Sequence, residues 1–178
     1  MVIPGENNIT EGALSTSILK DKDNWVILES ESVGLLSSAT SALNRLARGN
    51  RITLFTTNRN ASFQSNILSN EHLGRLSFHF PSEYREFNET GSDTFVDAYK
   101  EKYGVLPNNY TVRGYDLTLD VLLRLGAMSS LEESVRANVI TEYVENKFAY
   151  RPKSNGGFYN DAVYIMHYNN DLTLSVAR

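Results

Sequence analysis

Short apolar runs alternate with amphipathic stretches through the first eighty residues. Trp25-Val26-Ile27-Leu28, Ile52-Thr53-Leu54-Phe55 and Leu76 to Phe80 each have the length of one strand and are rich in branched and aromatic side chains. The first is apolar without interruption, the pattern expected of a strand covered on both faces. Between the first two runs, Leu35, Leu36, Ala39, Leu43 and Leu46 recur on one face of a helix over residues 33–47. Shorter helices are expected near 11–21, after the cap candidates Asn8 and Thr10, and around 61–69. Pro81 breaks the third strand. This order implies right-handed crossovers and a mainly parallel, doubly wound sheet between two helix layers, a three-layer α/β/α arrangement.

From residue 93 the period changes. Phe95, Tyr99 and Tyr103 recur at i, i+4 and i+8, so the rings share one helix face. Gly104 supplies a left-handed cap and Pro107 blocks continuation. A second helix follows, with Asn108 or Asn109 as its cap and Val112, Tyr115, Leu119 and Leu122 as its packing stripe. A third helix is expected near 131–145. The segment 147–176 is β-rich: Tyr164–Tyr168 and Leu172–Val176 flank Asn169-Asn170-Asp171, a hairpin turn, and Gly156-Gly157 reads as another turn. The polar stretch 82–93 reads as a surface loop. With no repeat or linker visible, residues 1–178 are expected to form a single α/β domain: βα units over 10–92, helices over 93–145 and a β-rich end over 146–178.

The run FVDAYKEKYGVLPNNYTVRGYD, residues 95–116, resembles a segment of type I periplasmic binding proteins in their branched-chain amino-acid-receptor branch. In that family it leads from the second lobe back into the first. The closing run Phe148 to Tyr168, with Gly156-Gly157 and Asn160 before Val163-Tyr164-Ile165, resembles the end of envelope-associated members from Bacteroidetes-type bacteria. Some of those carry peptidoglycan-binding LysM repeats ahead of the receptor-like part. The resemblance covers roughly residues 10–170 and is sharp over about two dozen of them. It implies one lobe of a two-lobed receptor, a periplasmic or cell-envelope location and no catalysis.

Composition narrows the field. Of 178 residues, 41% are hydrophobic and 21% charged, ordinary values for a folded domain. The net charge is −4, and the nearest thing to a basic patch, Arg45, Arg48 and Arg51, flanks a helix end where the dipole favours cations; nucleic acid is not an expected partner. The absence of cysteine removes disulfides, thiol catalysis and thiolate metal sites. No apolar run approaches the ~20 residues that span a bilayer. Met1 to Glu6 lacks the pattern of a signal peptide, so an export address is expected upstream of this stretch.

In a parallel sheet, ligands sit beyond the carboxyl ends of the strands. Two such loops are visible: Glu29, Ser30, Glu31 and Ser32 after the first strand, and Thr56, Thr57, Asn58 and Arg59 after the second. By the resemblance, these fall near second-lobe loops that contact an amino-acid ligand, although the family often has a carboxylate where this chain has Asn58. From the residues alone, Glu29 and Glu31 make a carboxylate pair if the strand persists, whereas Ser30 or Ser32 capping the next helix is the simpler reading. Arg59 has the fork to clamp a carboxylate, against a solvated loop arginine. His72, His79 and His167 lack metal-ligand spacing, and no nucleophile elbow or phosphate loop occurs; the resemblance implies that Asp116 is a structural position. Ten tyrosines allow an exposed binding patch.

The expectation is therefore a non-catalytic solute-binding or ligand-sensing module, similar to the substrate-binding proteins of ABC transporters for amino acids, with no cofactor and no metal. The alternative is an envelope structural or protein-interaction module that keeps the receptor fold without ligand. The expected partners are a small molecule or an envelope protein, with peptidoglycan association through upstream repeats and a possible homodimer through the uncovered Tyr115 helix.

Overall fold

The computed structural model describes residues 8–86 and 93–177. The expected loop over 82–93 therefore lies partly, and the reading of Met1 to Glu6 wholly, outside the described residues. The element order is α1 (Glu11–Ser15), β1 (Asp23–Ile27), α2 (Val33–Leu46), β2 (Arg51–Phe55), a 3-10 turn (Ala61–Gln64), α3 (Asn70–Arg75), β3 (His79–Ser82), α4 (Thr94–Tyr103), α5 (Asn109–Ala127), α6 (Leu131–Arg136), then β4 (Thr141–Glu142), β5 (Lys147–Phe148), β6 (Tyr150–Pro152), β7 (Phe158–Asn160), β8 (Tyr164–Tyr168) and β9 (Leu174–Val176). The fold is mixed α/β, with a mixed five-stranded sheet in the order β1-β2-β3-β8-β9 and two small two-stranded sheets, β4-β5 and β6-β7. The pairs β1–β2 and β2–β3 are parallel, and β8–β9 is antiparallel. The chain divides into two compact units, one of residues 1–81 with 165–178 and one of residues 82–164.

In the first unit, alternation along the strands separates a buried face from an open one. Asn24, Ile52 and Leu54 are buried, whereas Trp25 and Ile27 are 77% and 68% exposed. The expectation that the Trp25 run is covered on both faces is thus corrected: β1 is an edge strand, and the face that carries Trp25 and Ile27 is open. Leu36, Ala39 and Leu43 of α2 are buried, with Ser32 as the cap that accepts the Leu35 N–H at 3.3 Å. The core continues through Leu73, Leu76 and a ring cluster in which Phe78 lies 5.0 Å from Phe63 and 5.5 Å from Phe80.

Three boundaries move for identifiable reasons. The helix expected over 11–21 stops at Ser15, and the one expected over 61–69 is a 3-10 turn capped by Asn60, with a separate helix α3 after the cap Ser69. The third strand begins at His79 rather than Leu76, because Leu76 closes α3 through its N–H to His72 O (3.0 Å) and Ser77 turns at φ 45°. It runs through Pro81 because β2 ends at Phe55, opposite His79, so the proline removes no donor from that ladder.

In the second unit, α4 ends at Gly104 with φ 72° and α5 starts at the cap Asn108, both as expected. Phe95 stacks on Tyr115 at 3.8 Å over a cluster of Val96, Val112 and Val144. The helix expected over 131–145 ends at Arg136, since Asn138 adopts φ 54° and Thr141–Glu142 pairs with Lys147–Phe148. Gly156 and Gly157, at φ 91° and 78°, turn the β6–β7 hairpin. The largest departure is α5. Its stripe was expected to pack through Val112, Tyr115, Leu119 and Leu122; Val112 is buried, but Leu122 is 61% exposed and the deeply buried positions are Asp116, Asp120 and Arg124.

Candidate functional site

The two loops at the carboxyl ends of β1 and β2 do meet, and their polar groups are spent on one another. The Glu29 carboxylate accepts the Thr57 backbone N–H and the Thr56 hydroxyl, the latter at 3.2 Å. The Thr56 hydroxyl oxygen also accepts the Asn58 N–H at 3.3 Å. Ser30 Oγ accepts the Ser32 N–H at 3.0 Å, and Asn60 donates to the Ser30 carbonyl at 3.0 Å. Ser62 donates to the Glu31 carbonyl at 2.7 Å. Each bond crosses or tightens a turn, so the loops form a closed polar knot. The Glu29–Glu31 pair depended on β1 persisting; the strand ends at Ile27, and Glu29 is taken up by the second loop.

Arg59 is not a solvated loop arginine. Its guanidinium lies 4.4 Å above the Phe80 ring and 5.7 Å from the Tyr168 ring, and Nη2 donates to the Tyr168 hydroxyl at 2.9 Å. Its Nε is buried without a partner among the described residues. The aromatic shelf holds the cation flat against the core, an arrangement arginine makes well because the guanidinium is planar and weakly hydrated. Of the seven site residues expected from the sequence, Thr57, Asn58 and Arg59 close one loop and Glu29, Ser30, Glu31 and Ser32 the other.

Sequence spacing missed the row of rings on the open face of the sheet. Trp25 lies 5.4 Å from Phe55, Phe55 4.9 Å from His79, and His79 5.0 Å from His167. His167 Nε2 and the Ser175 hydroxyl are 2.9 Å apart. The row spans all five strands because each residue occupies an open-face position of its strand. That alternation was the one signal available, but only pairing reveals that the positions align. Burial pushes the His79 pKa below its usual value; the neighbouring His167 adds to this, and the Ser77 carbonyl opposes it.

An apolar groove of about 710 Å³ runs along β1 beside α1 and α2. Its walls include Leu14, Ile18, Val26, Leu28, Leu35 and Leu43, and its only charged lining residues are Asp23 and Glu29. In the second unit, a smaller cavity of about 420 Å³ between α6 and the β6–β7 hairpin brings Arg136, Arg151 and Lys153 together with Glu132.

The polar stripe of α5 is structural. Asp116, fully buried, accepts the backbone N–H groups of Val144, Glu145 and Asn146 at 3.2, 2.9 and 2.9 Å. Asp120 binds Arg124 Nε at 2.8 Å and accepts from Tyr143 at 3.1 Å, while Arg124 donates to Ser134 and Thr141 at 3.1 and 3.0 Å. Arg113 pairs with the buried Glu145 at 3.0 Å and lies 3.7 Å over the Tyr84 ring. Burial raises the pKa of Asp116 and of Glu145, and pushes the Tyr150 and Tyr164 hydroxyls up to about 12. The described residues contain no group of three or more His, Asp or Glu side chains placed to hold a metal, and no described helix is long and apolar enough to cross a membrane.

No protein-family model, curated protein or solved structure matches this chain.

Proposed function

We propose that the chain is a non-catalytic protein-interaction module whose α5 helix meets the same helix of a second copy. One observation carries this reading: α5 buries its charged residues and leaves leucines exposed. All four of its charged residues, Arg113, Asp116, Asp120 and Arg124, have partners within the chain. Leu117, Leu122 and Leu125 are 50%, 61% and 47% exposed, next to Tyr110 at 84%. Gly114, Leu117, Val121 and Leu125 follow the 3-4-4 spacing of a helix-pairing seam, and Gly114 leaves open space for close approach. No charge lies on that seam to oppose a second copy. Roughly 400 Å² of apolar surface is at the scale of the largest patch on a typical monomer. Two such faces would bury about 800 Å², short of the ~1,200 Å² of stable complexes, so the association is weak and reversible.

Sedimentation velocity from micromolar to millimolar chain tests this. The weight-average mass rises with concentration, and Leu122→Lys with Leu125→Lys keeps the chain monomeric at its original stability. A wild-type chain that stays monomeric throughout overturns the proposal.

A second reading is favoured by the parallel β1–β2–β3 order and by the convergence of Glu29–Ser32 with Thr57–Arg59. Here the chain is one lobe of a type I periplasmic-binding-protein-like receptor, three-layered and doubly wound, that takes up amino acids or related solutes at the cell envelope. A longer parent chain would then supply the opposing lobe and any LysM repeats. Calorimetry on such a parent, with amino acids, small peptides and cell-wall fragments, decides it: heat that Arg59→Ala removes supports the receptor, and no heat from any of them removes it.

A further inference from the structure

The cavity between α6 and the β6–β7 hairpin, about 420 Å³, is of small-molecule size and gathers like charges. Arg136 lines it from the last turn of α6, Arg151 from β6, and Lys153 from the position just after that strand. Three cations share one cavity in a chain whose net charge is −4. Holding like charges together is unfavourable unless opposite charge offsets them, and the chain supplies little of it. Arg136 and Lys153 have no ion-pair partner among the described residues. Glu132 lines the same cavity one helical turn before Arg136, yet pairs with neither.

Arg151 is positioned more than it is neutralised. Its Nη1 donates to the Asn138 side-chain oxygen at 2.7 Å, and Asn138 holds φ 54° just after α6. A neutral acceptor fixes a guanidinium without cancelling its charge. Asp161 stands 3.6 Å from Nε, longer than a hydrogen bond, and Nη2 has no partner among the described residues. The helix dipole accounts for a cation in the last turn of α6 but not for the two that the hairpin brings to it. Phe158, 38% exposed, and Pro152 add an apolar wall.

We propose that this cavity binds a compact polyanion, a small molecule carrying two or more carboxylate or phosphate groups. Arg136 and Lys153 supply charge, Arg151 supplies a directed donor through Nη2, and Glu132 opposes the ligand. None of the lining residues belongs to α5, so the inference is independent of self-association.

Isothermal titration calorimetry on the full chain with citrate and with pyrophosphate, at one fixed ionic strength, tests the proposal; the two arms separate a carboxylate ligand from a phosphate one. Saturable binding of at least one of them is expected, at a single site per chain. Arg136→Gln and Lys153→Gln each weaken it about three- to fivefold, the scale of one exposed ion pair. Glu132→Gln strengthens it by a similar factor. Lys100→Gln, on α4, makes the same change in net charge and leaves binding intact. All four side chains are exposed, so circular dichroism and unfolding midpoints stay those of the parent chain. No saturable heat from either anion overturns the proposal. So does binding indifferent to Arg136→Gln and Lys153→Gln, weakened equally by Lys100→Gln, or weakened by Glu132→Gln.

Discussion

Asp116 and Glu145 are joined through the main chain: Asp116 Oδ2 accepts the Glu145 N–H at 2.9 Å, while the Glu145 side chain turns away to Arg113. Two buried carboxylates thus sit side by side without sharing a proton donor, each satisfied from a different direction. The bend after β4 is held to α5 by this arrangement, so the helix and the bend form one cooperative piece.

Replacing Asp116 with alanine leaves three backbone donors, of Val144, Glu145 and Asn146, without an acceptor. Unsatisfied buried donors cost about 1–3 kcal/mol each and do not add fully, so a loss of about 3–5 kcal/mol is expected. Urea unfolding followed by far-ultraviolet circular dichroism measures it. Asp116→Asn, which keeps an acceptor oxygen, loses less.

The Asp120–Arg124 pair, 0% and 5% exposed by side chain, behaves differently when cut singly and when removed whole. Arg124→Met strands a buried carboxylate and is expected to cost about 3–5 kcal/mol. Asp120→Leu with Arg124→Met removes both charges and recovers much of that loss. A double variant no better than the single would contradict the desolvation argument; denaturant midpoints compare them directly.

Stability carries opposing pH trends. The His79 pKa is lowered on folding, so the unfolded chain takes up the proton first; its contribution is present above the unfolded value of 6.5 and is lost as pH falls through the folded one. Asp116 and Glu145 are raised from 3.8 and 4.5, so their contribution is full below those values and is lost as pH rises through the folded ones. His79→Phe keeps the ring row between Phe55 and His167 but has nothing to titrate. Denaturant midpoints measured on either side of pH 6.5 should fall less on acidification in the variant than in the parent chain.

Gly74 marks a close approach. A Cβ there would sit 2.8 Å from the Asn169 carbonyl oxygen and 3.2 Å from a Leu172 methyl. Gly74→Ala gains helix propensity in α3 but forces the β8–β9 turn outward, for a net loss of about 1–3 kcal/mol by overpacking. Thermal unfolding of the variant provides the check, and a rise in midpoint would show that the turn yields freely.

Local chemistry was legible wherever one short stretch settles the outcome. Ser32 capping α2, Gly104 ending α4, Asn108 opening α5 and Gly156-Gly157 turning a hairpin each need only a few consecutive residues. The Glu29 and Arg59 loops were correctly placed at strand ends, but their closure was not, because Glu29 reaches the Thr57 N–H and Arg59 reaches Tyr168 across long stretches of chain. The row from Trp25 to His167 was invisible for the same reason: only strand order aligns it.

The amino-acid sequence by itself determined the αβ alternation to residue 80, the caps and the aromatic helix before Gly104, since propensity and period act over one or two turns. Tertiary structure alone decided that Asp116, Asp120 and Arg124 join Val112 and Tyr115 on the inner side of α5. Its leucine stripe is the obvious inner face by period, yet the unpaired N–H groups of Val144, Glu145 and Asn146 claimed Asp116, and Arg124 had to follow Asp120. A buried donor without an acceptor costs more than an exposed leucine, and that balance set Asp116, Asp120 and Arg124 inside beside Val112.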